Sequence, residues 1–241
     1  MPRGTPDWYN AGQSNIAVSL SDMGELAVRL GSPVSFDRSG KTIYFDEFSH
    51  FDGLYTVSNS GGVSDFQADT ARYEYGGGSA KAVIGVGTAN WCNLTRYFRM
   101  WGGKYLSCEI ALNTDYIPNI LGFTIDVVYQ GILHYAIVKI IDDMKTFQVF
   151  RTGGVYETFK TFTTTPYVTT MFNVLRLIYD IEEETYVGFT FNDQTFSLTD
   201  YVLHTTTDNS GHKFLFTLVV FGHSTQQLSA WLDRIIISED I

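Results

Sequence analysis

The chain has 241 residues, 44% of them hydrophobic and 15% aromatic, with 18 Phe and 15 Tyr against only 5 Pro, which excludes a disordered tail and suffices for a large core. A formal net charge of -10 repels a phosphate backbone, and no Lys/Arg cluster reverses it locally, so nucleic acid is excluded as a partner. The longest apolar run, residues 214–221, is far short of the roughly 20 residues a membrane-spanning helix needs, and the first ten residues lack the apolar stretch of a secretory signal, so neither membrane nor export is expected.

The chain opens on Pro2–Asn15, a polar stretch punctuated by Pro, Gly and Asn that suits an extended arm. One short helix is predicted next. Ser21 or Asp22 caps its start, Glu25 stands three residues after Asp22, and Gly31 follows its last turn. Met23, Leu26, Ala27 and Leu30 fall on one face, so the helix must pack on the body behind it or on a neighbouring subunit. Gly31, Pro33, Ser39 and Gly40 mark a linker, which divides the chain into an arm and helix (1–40) and a main domain (41–241).

From Lys41 onward the period is that of strands. Leu106, Cys108, Ile110 and Leu112 share one face of Lys104–Leu112, and Phe123, Ile125, Val127 and Tyr129 share one face of Ile120–Tyr129. Gln130-Gly131 is a tight turn into Ile132–Ile141, which makes a hairpin. Further strands are predicted at Thr146–Arg151, Met171–Ile181, Glu184–Phe191, Gln194–Leu198, Lys213–Gly222 and Ala230–Ser238, with turns at Gly153-Gly154 and Asn192-Asp193. Regular strands without intervening helices imply an all-β body of two stacked antiparallel sheets. The run Phe214–Phe221 is apolar on both faces, as in a central strand covered on both sides or touching another subunit.

Chemistry-bearing patterns are few. Cys92 and Cys108 lie on segments that can pair in one sheet; two buried free thiols are expected over a disulfide. The five histidines lack metal-type spacing, no Gly-x-Ser-x-Gly elbow occurs, and Gly76-Gly77-Gly78 is not followed by the Lys-Ser or Lys-Thr of a phosphate loop. The only dense acidic cluster is Asp180, Glu182, Glu183 and Glu184. Glycan binding needs exposed rings beside hydrogen-bonding groups, and Trp91, Trp101, Tyr97, Tyr129 and Tyr135 are the candidate platforms.

Two stretches carry a family resemblance. Tyr44-Phe45-Asp46-Glu47-Phe48 with Leu54-Tyr55, and Trp231-Leu232-Asp233-Arg234-Ile235-Ile236-Ile237, resemble the first and last strands of laminin-G and concanavalin-like sandwiches. The stretches Asn173–Asp180 and Thr185–Asp193 are similar to the long hairpin of that fold, which implies that the acidic cluster forms its solvated turn rather than a catalytic site. The resemblance implies that the first and last strands pair side by side. It implies calcium as a candidate cofactor where they meet, with Asp46, Glu47 and Asp233 as ligands. The Glu-x-Asp-x-x-Glu pattern of one glycosidase family within the fold is missing, since position 180 is Asp and position 185 is Thr. The segment Asp22–Pro33, leading through Phe36–Gly40, looks like the leader of jelly-roll proteins of tailed bacteriophages, in which the implied role is virion structural or decoration protein.

The expected function is therefore a non-enzymatic virion-surface protein, made in the host cytoplasm. Trp8, Tyr9, Met23, Leu26 and Leu30 would form its assembly interface with a major capsid or other virion protein and with sister subunits, trimers among the closed arrangements. A carbohydrate-binding module for host attachment is the alternative, and a divergent glycoside hydrolase ranks below both.

Overall fold

A computed structural model of the chain describes residues 40–48, 55–61, 66–73, 77–98, 104–141, 143–208 and 213–240. The predicted arm and helix, with Trp8, Tyr9, Met23, Leu26 and Leu30, lie outside the described residues, as does Trp101. The rest forms sixteen strands in two antiparallel sheets.

Sheet A runs β13 (Gln194–Ser197), β12 (Thr185–Phe191), β11 (Asn173–Asp180), β6 (Tyr105–Thr114), β16 (Leu228–Asp240), β4 (Ser79–Ile84), β3 (Phe66–Asp69), with β1 (Gly40–Asp46) also pairing β16. First and last strands thus lie side by side, as the sequence resemblance implies. Sheet B runs β10 (Val155–Thr161), β9 (Thr146–Arg151), β8 (Ile132–Ile141), β7 (Leu121–Tyr129), β15 (Lys213–Phe221), β5 (Trp91–Phe98), β2 (Thr56–Ser60), with β14 (His204–Thr207) also pairing β8.

The local chemistry accounts for the hairpins. Gln130 and Gly131 both have positive φ, 51° and 79°, the handedness a two-residue turn needs to match strand twist. Gly153 and Gly154, at 91° and 72°, turn β9 into β10. The acidic cluster does form the β11–β12 turn, where the Glu183 amide donates to Asp180 Oδ1 at 3.0 Å and Lys104 lies 3.4 Å from Asp180 Oδ2.

Strand periodicity then builds the main core between the sheets, and Ala111, Phe172 and Trp231 form a second, small cluster. Cys108, Ile110 and Leu112 of β6 meet Leu94 of β5, Phe123 and Ile125 of β7 and Phe216 and Leu218 of β15 within the main core. At one end Phe147 of β9 packs its ring against Phe162, Phe191 and Phe189 at 5.1, 5.2 and 5.9 Å. Such pairs add about 0.5–1.5 kcal/mol each beyond their burial.

Three expectations change. Cys92 lies on β5 of sheet B and Cys108 on β6 of sheet A, so they are not on pairing strands; both are free and buried. Strand β15 is central in sheet B, as expected, but within this chain only one of its sides is covered, with Phe214, Phe216, Leu218 and Val220 buried and Leu215, Thr217, Val219 and Phe221 half-buried. Strands β2 to β5, β10 and β14 carry no clear period in the sequence and enter only through their partners.

Candidate functional site

The half-buried side of β15 marks an outer sheet face that is not simply solvated. Register defines two rows across the outer face of sheet B. One runs Thr56–Thr95–Thr217–Thr124–Ile137, through β2, β5, β15, β7 and β8. The next runs Tyr97–Leu215–Asp126–Tyr135–His204, through β5, β15, β7, β8 and β14. Alternation on each strand puts every member of both rows on the side away from the core.

The first row is a belt of hydroxyls. Thr95 Oγ1 lies 3.4 Å from Thr217 Oγ1 and donates to Asn93 Oδ1 at 2.9 Å. In the second row Tyr97 is 64% exposed. Three strand spacings of about 4.8 Å, or about 14 Å in all, separate it from Tyr135. The Tyr135 end is a cluster of rings: His204 stacks on Tyr135 at 5.5 Å with planes 25° apart, and Phe150 sits 5.0 Å from His204 and 5.0 Å from Tyr156. Lys139 Nζ stands 4.9 Å from the centre of the Tyr156 ring. Burial first, and then the charge of Asp126, pushes the Tyr156 hydroxyl above its ordinary range.

Asp126 is the one carboxylate that alternation places on this face among the described residues of these strands. Glycoside hydrolysis needs a second carboxyl group roughly 5–9.5 Å away. The positions sharing the face beside Asp126 are Thr124 and Val128 on its own strand, Leu215 and Tyr135 across the ladder. Among the described residues the face therefore offers stacking rings, hydroxyls and one acceptor carboxylate, without a carboxylate pair.

Among the expected platforms, Trp91, Tyr97 and Tyr135 come together on this face. Tyr129 does not: it projects inward from β7 and packs against the main core. Phe150, Tyr156, His204, Lys139 and Asp126 were not singled out from the sequence. The alternation of Phe123, Ile125 and Val127 with Thr124 and Asp126 was the one signal that could have found Asp126, since it marks an outward position on a strong strand.

The calcium ligands are not assembled. Asp46 Oδ2 accepts from the Tyr44 and Tyr55 hydroxyls at 2.5 and 2.7 Å, its Oδ1 accepts from the Phe48 amide at 2.8 Å, and Arg96 Nη1 lies 3.8 Å away. Asp233 is fully buried at the β16 bulge between Leu232 and Arg234. Among the described residues no group of three or more His, Cys, Asp or Glu, Glu47 included, is placed to hold a metal ion. On the outer face of sheet A several polar groups meet one another. Arg234 pairs with Glu109 at 3.0 Å, and the Trp231 indole, 8% exposed, donates to Asp69 beneath Arg72 and Lys81.

No protein-family model and no curated protein matches the chain. Solved structures do. The catalytic domain of an endo-1,3-β-glucanase (laminarinase) from Thermotoga petrophila RKU-1 is 13% identical with a TM-score of 0.51, covering 83% of this chain and 98% of that one. An endo-β-1,4-glucuronan lyase from the fungus Trichoderma reesei is 10% identical with a TM-score of 0.57, covering 82% and 95%. The CBM2 module of the evolved Dit of Lactobacillus casei BL23 phage J-1 is 12% identical, covers 84% and 97%, and has a TM-score of 0.48, on which nothing further rests. These likenesses concern the fold: the chain is a concanavalin-like jelly-roll sandwich.

Proposed function

We propose that the protein is a non-enzymatic glycan-binding sandwich borne on a bacteriophage particle, with the outer face of sheet B as its binding surface. The observation that supports it is the juxtaposition of Trp91, Tyr97 and Tyr135 with the threonine row on one half-buried face. A sugar ring has an apolar face that stacks on an aromatic ring and a rim of hydroxyls that need polar partners, and this surface supplies both. The spacing of Tyr97 and Tyr135 suits several sugar units rather than one. Asp126 accepts hydrogen bonds from sugar hydroxyls, and with no second carboxylate beside it among the described residues of the face it does not complete the acid–nucleophile pair of a glycosidase. A net charge of -10 disfavours anionic polysaccharides.

The placement on a particle rests on the phage-type leader, Asp22–Pro33, and on the anchor set Trp8, Tyr9, Met23, Leu26 and Leu30 before the sandwich. The partner is then a capsid or other virion protein, and a closed homo-oligomer presents several glycan faces at once, which multiplies avidity.

Titration of the full chain with laminarin, a mixed-linkage β-glucan and a soluble galactan, with alginate as anionic control, tests the reading. Saturable binding to a neutral polysaccharide, lost in Tyr97→Ala and Tyr135→Ala without loss of fold, is expected. Reducing-end release by the wild-type chain, abolished in Asp126→Asn, would sink the non-enzymatic part. Co-sedimentation with purified particles tests the placement, and a chain with Leu26 and Leu30 changed to Asp should stay in the supernatant.

A further inference from the structure

Strand β8 changes partners along its length. Residues 132–135 pair with β14 and residues 138–141 with β9. Between them the end of β9 departs, and Arg151 bridges Leu203 instead. A fork of three strands interrupts the ladder, and backbone groups left inside a core need another partner.

Tyr186 supplies that partner from the opposite sheet. It stands on β12, its side chain fully buried. Its hydroxyl accepts from the Ile137 amide at 3.0 Å and donates to the Phe150 carbonyl at 2.6 Å, so one atom joins β8 to β9 where their ladder stops. The Tyr135 carbonyl lies 3.3 Å from the same oxygen. A hydroxyl has one proton and two lone pairs and fills both roles at once; a phenylalanine fills neither. On the outer side of the same fork lie Tyr135, His204 and Phe150, one ring from each of the three strands, with centroids 5.0 to 6.2 Å apart.

We propose that Tyr186 is a positioning residue for the Tyr135 end of the binding face: its hydroxyl pins the fork from inside the sandwich and thereby sets the spacing of the three rings outside. The effect on binding rests on the glycan-binding reading; the effect on the rings does not.

The test uses the full chain, Tyr186→Phe, which removes only the hydroxyl, and Tyr135→Ala, which removes only an outer ring. Three quantities are read: amide hydrogen exchange at Ile137, with Thr124 of β7 as reference; the imidazole resonances of His204; and affinity for whichever neutral polysaccharide of the panel the wild type binds. Tyr186→Phe should fold, lose protection at Ile137 by roughly tenfold or more while Thr124 keeps its own, shift His204, and weaken binding roughly tenfold. Tyr135→Ala should weaken binding and leave Ile137 protected. Unchanged Ile137 protection or unmoved His204 resonances in folded Tyr186→Phe overturn the proposal. So does a Tyr186→Phe chain that fails to fold, because the hydroxyl would then hold the sandwich as a whole. If the wild type binds no polysaccharide, the glycan reading fails, and exchange and resonances still decide the positioning role.

Discussion

The Tyr55 hydroxyl stands 2.7 Å from Asp46 Oδ2, tying the end of the first strand of sheet A to the residue that leads into β2 of sheet B. Tyr44 donates to the same oxygen, and the Arg96 guanidinium of β5 lies over both rings at 4.5 and 4.9 Å. One carboxylate thereby closes the sandwich where its chain enters. Asp46→Asn replaces that acceptor with a group that also donates, and should cost about 1–3 kcal/mol in urea unfolding. Tyr97→Ala, at the exposed end of β5, should stay within about 0.5 kcal/mol. Equal stabilities of the two variants would contradict the closure.

Alkaline stability follows from the same cluster. Burial first, then the hydrogen bond with Tyr44 and the charge of Asp46, raise the Tyr55 hydroxyl well above its ordinary 10.0. Burial likewise raises Tyr167 and Tyr179. A folded-state value above the unfolded one means the folded state keeps its proton longer. The stabilisation is thus complete below about pH 10 and is lost as pH rises beyond it, by up to about 1.4 kcal/mol per pH unit for each group. Tyrosinate absorbance should reach its full amplitude only together with loss of the β-sheet circular dichroism signal; early full titration in a folded chain would count against these burials.

The two thiols should be inert in the native protein. Both are fully buried, and burial pushes Cys108 well above the ordinary thiol value. A colorimetric disulfide reagent is expected to label neither until denaturant is added, and then both. A native chain with only one titratable thiol in denaturant would reveal a bond to another molecule.

Backbone proximity makes Gly222 intolerant. A Cβ there would stand 2.7 Å from the Gly87 carbonyl and 2.8 Å from that of Gly85, and neither backbone can retreat cheaply. Gly222→Ala should cost about 1–3 kcal/mol. Gly77, with open space around it, should accept Ala within about 0.5 kcal/mol. Thermal unfolding of the two variants side by side checks this.

Two tyrosines at one hairpin separate stability from binding. Tyr129 packs inward on the core and Tyr135 stacks with His204 outside. Tyr129→Ala is expected to lower stability by about 2 kcal/mol and leave polysaccharide affinity intact. Tyr135→Ala should do the reverse, as read by paired unfolding and titration curves.

How much was legible differs from element to element. The hairpin β7–β8 could be read because its apolar residues alternate and its turn uses Gln130-Gly131, whereas the strands of β11–β12 were legible and their pairing came through the family resemblance. The segment Val155–Thr161 could not, because an edge strand with most residues exposed has no buried side to imprint a period. Tyr129 was misread for a related reason: a ring on a strand is platform or core according to parity, and the sequence shows Tyr129 in phase with Phe123, Ile125 and Val127, a sign of the inward side.

What the sequence determined by itself was strand chemistry: an acidic, aromatic-rich, two-sheet body. These features follow from local alternation, turn residues and composition, which act over a few residues at a time. Which strands became neighbours was decided by tertiary structure alone. Thr95, Thr217 and Thr124 are far apart in the chain and form one row only because β15 inserts between β5 and β7. Tyr186 likewise has no meaning in the sequence as a tie to Ile137 and Phe150, since that contact exists only once two sheets pack face to face and their interior polar groups must find partners.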